Sequence, residues 1–100
     1  MMGYRIRRVD NNQKEIVKAF RKLGAKVEIL SEVGGGTPDL VIGVKGRMRW
    51  IEIKDGSKSP SRRKLTEEQL IFHREWIGYV DIVESVEDVV KIVQEAKRWC

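Results

Sequence analysis

The chain has 100 residues, 41% of them hydrophobic and 35% charged, with 9 Gly and 2 Pro; that suits one globular domain, 1–100, and is too short for two independent cores. No apolar run approaches the ~20 residues of a spanning helix, and the opening MMGYRIRR lacks a signal peptide's hydrophobic stretch, so membrane insertion and secretion are not expected. A single cysteine, Cys100, excludes an internal disulfide framework and a Cys-cluster zinc site and suits a reducing, intracellular compartment.

Asn11 and Asn12 can cap a helix whose apolar positions Ile16, Ala19, Phe20 and Leu23 fall at i, i+3, i+4, i+7, with Gly24 as its stop. From Ala25 to Leu30 apolar and charged residues alternate as in a half-buried strand, followed by a loop, Ser31 to Pro38, that contains Gly34, Gly35 and Gly36. Asp39 to Val44 and Arg47 to Lys54 read as a β-hairpin turning at Lys45-Gly46, where glycine supplies a positive φ. After a polar loop from Asp55 to Lys64, Thr66-Glu67-Glu68-Gln69 matches a capping box, with Leu65 and Leu70 at the hydrophobic staple positions. That helix runs to about Ile77 and stops at Gly78. Tyr79 to Glu84 is a fourth strand, and Ser85 caps a last helix carrying Val86, Val89, Val90, Val93 and Trp99. The order is α-β-β-β-α-β-α. A helical crossover makes strands three and four parallel while the earlier pairs are antiparallel, which gives an α/β fold with a mixed four-stranded sheet flanked by helices.

Charge is unevenly spread. Lys45, Arg47, Arg49, Lys54, Lys58, Arg62, Arg63 and Lys64 face only Glu52 and Asp55 between positions 45 and 64, a local +6 within a net +5 chain. Such a run favours a polyanionic partner through phosphate contacts and counterion release, and a solvated basic surface is the plainer alternative.

With the hairpin turning at Lys45-Gly46, opposed residues sum to 91: Val44 with Arg47, Val41 with Trp50, and Asp39 with Glu52. Two carboxylates then share a face with Cβ atoms about 5 Å apart, a repulsive arrangement. Lys54 lies on that face about 6.5 Å further along, while Leu40, Ile42, Ile51 and Ile53 point the other way. Facing hard oxygen ligands suit Mg²⁺ or Mn²⁺; a salt-bridged group in which both carboxylates share Lys54 is the competing reading.

The segments GGGTPDLVIG, WIEIKDG and LTEEQLIF together resemble the PD-(D/E)xK nuclease superfamily, and more narrowly its virus-type replication-repair nuclease (VRR-NUC) branch, stand-alone viral type. The resemblance spans Glu15 to Gln69 and rests on Gly36-x-Pro38-Asp39, Glu52-x-Lys54 and Leu65-Thr66-x-x-Gln69. It implies a restriction-endonuclease-like αβββαβ core in which Asp39, Glu52, the Ile53 carbonyl and Glu15 ligate metal. It also implies that Lys54 orients or deprotonates the attacking water and that Gln69 positions water or the scissile phosphate. Glu15 and Gln69 each have a rival duty, because Asn12-x-x-Glu15 and Thr66-x-x-Gln69 both fit capping boxes.

Lys58, Arg62, Arg63 and Lys64, with Gly35 and Gly36 allowing close backbone approach, are the candidate DNA contacts; a loop that merely places Pro38 and Asp39 is the alternative for the glycines. His73 reads as a packed or exposed helix residue, and Met48, Trp50 and Trp76 as core or interface. The expectation is a Mg²⁺- or Mn²⁺-dependent DNA endonuclease, acting as a homodimer on branched DNA such as four-way junctions. The valine-rich last helix is the candidate dimer surface, and the host cytoplasm the location if the protein is viral. A non-catalytic nucleic-acid-binding module on the same fold and an RNA-directed nuclease are the competing functions.

Overall fold

The computed structural model describes residues 12–98, so Asn11, Trp99 and Cys100 lie outside the described residues. Its elements are α1 (Gln13–Lys22), β1 (Lys26–Ile29), β2 (Leu40–Val44), β3 (Arg47–Ile53), a 3-10 turn at Pro60–Arg62, α2 (Glu67–Glu75), β4 (Val80–Val83) and α3 (Val86–Arg98). One sheet has the order β1-β2-β3-β4, antiparallel except for the parallel β3–β4 pair. The hairpin register is the one the sequence implies, from Val44 opposite Arg47 to Leu40 opposite Ile51. Lys45 (φ 50) and Gly46 (φ 81) both take the left-handed backbone that a tight hairpin turn requires.

Strand alternation sorts the two faces. Leu40, Ile42, Ile51 and Ile53 form the core with Ile16, Val17 and Phe20 of α1 and Val89 and Val93 of α3. On the opposite face Trp50 meets Phe72 and Trp76 of α2 edge-on, with ring centroids 5.2 Å apart in each pair. Helices therefore cover both faces, as the α/β reading requires.

The two sides differ in depth: α2 has no fully buried residue, whereas α3 buries Val89, Val93 and Ala96. Of the valines read as a pairing surface, Val89 and Val93 are buried in the chain's own core, whereas Val86 is 39% exposed. Ser85 caps α3 as expected, with Asp88 N–H donating to its hydroxyl and the Asp88 carboxylate accepting from Glu84 N–H. Asn12 does not cap α1. It flanks the helix without a side-chain cap bond, because its amide is committed across the molecule to the carbonyls of Lys54 and Glu84.

Candidate active site

Asp39 immediately precedes β2, and its carbonyl accepts from Leu30 N–H, which ties it to the end of β1. Its Oδ2 accepts from Ile53 N–H at 2.8 Å across the hairpin. A residue's N–H and C=O share one edge of an extended strand, so the Ile53 carbonyl faces the Asp39 side. Glu52 is 2% exposed beneath α2, and its Oε2 accepts from Gln69 Nε2 at 2.9 Å. Lys54 Nζ donates to Gln69 Oε1 at 3.0 Å. The same Oε1 accepts from Thr66 N–H, and Gln69 N–H donates to Thr66 Oγ1, completing the capping box. Gln69 thus makes both the cap and the side-chain contacts at once: its oxygen closes the helix cap and receives the lysine, while its nitrogen steadies the buried carboxylate. Lys54 thereby reaches Glu52 through the Gln69 amide.

Glycine explains how α2 comes so close. Gly36 has φ +85, and a Cβ there would lie 2.4 Å from the carbonyl oxygen of Glu68 in the first turn of α2. Gly36 is therefore packed against the start of the helix that carries Gln69. Gly35, with nothing near its Cβ position, faces open space.

Other residues fall differently from the sequence reading. Glu15 is exposed on the first turn of α1, and among the described residues no group of three His, Cys, Asp or Glu side chains converges to hold an ion. With Asn12 engaged elsewhere, Glu15 has no capping box to complete. Arg63 is also diverted: its guanidinium pairs with Glu84 at 3.0 Å, at 27% side-chain exposure, whereas Lys58, Arg62 and Lys64 are exposed. Asp55 starts the basic loop by accepting from the Ser57 hydroxyl and N–H. Those bonds, the hydroxyl's first, hold its carboxyl below the ordinary value. Met48 is 53% exposed, contrary to a core position, while Trp50 is packed in the aromatic cluster.

His73 follows Gln69 by one turn on α2. Burial, and secondarily the Lys54 charge, hold its pKa below 6.5, and its Nε2 is buried with no hydrogen-bond partner among the described residues. In the sequence His73 reads only as a lone helix residue. The i, i+4 spacing from Gln69, which places both on one helix face, was the available signal.

The donor set fits a hard divalent cation. Asp39 and Glu52 stand one step beyond the Leu40–Ile51 pair of the hairpin, each has one oxygen oriented by a protein N–H, and the Ile53 carbonyl faces the Asp39 side; oriented oxygen ligands of this kind are what Mg²⁺ and Mn²⁺ prefer. No protein-family model matches the chain, and no curated protein matches it. A solved structure described as a VRR_NUC domain does, with 31% sequence identity over 82% of this chain and 89% of that one, at a TM-score of 0.59. The shared fold, the identity over most of both chains and the Asp39, Glu52-x-Lys54 and Gln69 arrangement agree, and the chain belongs to the VRR-NUC domain family.

Proposed function

We propose that the protein is a nuclease that hydrolyses DNA phosphodiester bonds with Mg²⁺ or Mn²⁺ held by Asp39, Glu52 and the Ile53 carbonyl. The observation that carries this reading is the Gln69 bridge, which joins the candidate water-activating Lys54 to the buried Glu52 in one hydrogen-bonded unit. Nuclease activity also accords with family membership.

When bound, the metal would polarise the phosphoryl oxygen, lower the pKa of water and stabilise the leaving oxygen. The protein's own part is positional. Ile53 N–H and Gln69 Nε2 fix the two carboxylates, so the ligand geometry is set before substrate arrives. Lys54, anchored on Gln69 Oε1, would orient or deprotonate the attacking water. Lys58, Arg62 and Lys64 would take backbone phosphates, and Arg63 would hold the loop to Glu84 rather than touch DNA.

A second copy would extend the footprint of so small a domain. The exposed apolar side chains favour α2 and the outer strand for that contact: Leu70 (53% exposed), Ile77 (74%), Tyr79 (59%) and Ile82 (46%) lie on α2, just after it and on β4. Two-fold pairing through this surface would set two active sites in related orientations, as symmetric cleavage of a branched junction requires. The experiment is a cleavage assay on linear duplex, flap, four-way-junction and single-stranded RNA substrates, with and without Mg²⁺ or Mn²⁺, alongside sedimentation at micromolar concentration. Metal-dependent cutting of junction DNA by a dimer is the result expected. Cutting of RNA alone, or binding without cleavage in either metal, overturns the assignment.

A further inference from the structure

β3 and β4 run parallel, and Ile53 opposite Val83 is their last paired position. The next residues in that register are Lys54 and Glu84. Lys54 N–H still donates to Val83 O at 2.9 Å, after which both chains turn away into loops. At this point Asn12 intervenes, its Nδ2 donating to Lys54 O at 3.2 Å and to Glu84 O at 3.1 Å. We propose that Asn12 is a positioning residue for phosphodiester cleavage, a side-chain rung past the last backbone rung that holds the Lys54 peptide so that Nζ stays on Gln69 beside the two carboxylates. The proposal rests on the nuclease reading above.

The chemistry is specific to an asparagine. A primary amide carries two N–H donors on one nitrogen, and here both are used. Serine or threonine offers a single donor and aspartate none. A helix cap would instead employ the side-chain oxygen, yet Asn12 Oδ1 is buried without a hydrogen-bond partner among the described residues. The donors therefore set the orientation of this side chain. Lys54 becomes fixed at three points: its N–H on Val83, its carbonyl on Asn12 and its ammonium on Gln69.

Asn12→Asp keeps the shape and removes both donors, and Asn12→Ser keeps one. The readouts are single-turnover cleavage, DNA affinity without metal, and amide hydrogen exchange at Lys54 compared with Ile51 in the middle of β3. We expect Asn12→Asp to slow single-turnover cleavage about tenfold or more, because small misplacements of a reacting group cost rate steeply. DNA affinity and Ile51 protection should hold while Lys54 exchanges faster, with Asn12→Ser intermediate. Asn12→Ser decides the matter alone if the aspartate variant does not fold. Cleavage at the wild-type rate, or equal loss of protection at Lys54 and Ile51, overturns the proposal. Absence of cleavage by the unaltered protein on every nucleic acid overturns the nuclease reading instead, and the Lys54 exchange rate still reports whether the tether holds.

Discussion

Replacing Gln69 with alanine removes three side-chain hydrogen bonds at once, to Thr66 N–H, Lys54 Nζ and Glu52 Oε2. The proper comparison is Thr66→Ala, which deletes only the capping oxygen and should cost about 1 kcal/mol. Gln69→Ala loses the other half of the same box and also strips a donor from a carboxylate that is 2% exposed. Hydrogen bonds to charged groups contribute roughly 1.5–3 kcal/mol, so Gln69→Ala should cost about 2 kcal/mol more than Thr66→Ala. For a domain of this size that difference is on the order of 10 °C in Tm. Gln69→Glu separates the duties further, because it retains an acceptor for Lys54 and Thr66 but sets a second carboxylate against Glu52. It should be less stable at neutral pH than at a pH low enough to protonate one of the pair. Thermal and urea denaturation of the three variants, paired with cleavage rates, measure all of this. If Gln69→Ala costs no more than Thr66→Ala and cleaves at the wild-type rate, Gln69 is a helix cap only and the bridged site is wrong.

Gly36→Ala forces a side chain into left-handed backbone, at about 1–2 kcal/mol, and drives its Cβ into the Glu68 carbonyl; a lowered Tm with weaker cleavage is expected, and a neutral substitution would show that α2 does not rest on this loop. Lys58→Ala, Arg62→Ala and Lys64→Ala should each flatten the slope of log DNA affinity against log salt, while Arg63→Ala should lower stability and leave the slope nearly unchanged. His73 has a folded pKa below its unfolded 6.5, so the unfolded chain binds its proton more readily. Its contribution to stability is complete above pH 6.5 and is lost as pH falls through the folded value; denaturation of His73→Gln across pH 4–8 should lack that decline.

The period-two alternation of the hairpin fixed its register from Val44–Arg47 to Leu40–Ile51, because the turn at Lys45-Gly46 admits one pairing. The Thr66 capping box and the parallel β4 were equally legible, since both follow from local spacing and crossover length. Contacts between distant segments were not. Asn12 has the form of a cap, and only the assembled sheet reveals two carbonyls within reach of its amide. Arg63 stands in a basic run indistinguishable from its neighbours until Glu84 is brought beside it. Gly36 reads equally as a phosphate approach or as part of a loop that places Asp39, because sequence does not register the backbone of Glu68 pressing on it. The valines of α3 gave a helix period without saying whether a partner or the chain's own sheet would cover them.

Whether Asp39 and Glu52 hold the metal at which Lys54 activates water is tested by cleavage of junction DNA by the wild type, Asp39→Asn and Glu52→Gln across a Mg²⁺ titration, with DNA binding measured in parallel in Ca²⁺. The expected result is that both variants bind DNA as the wild type does yet fail to cut it at any Mg²⁺ concentration. Wild-type cleavage by folded Glu52→Gln at matched Mg²⁺ would contradict it.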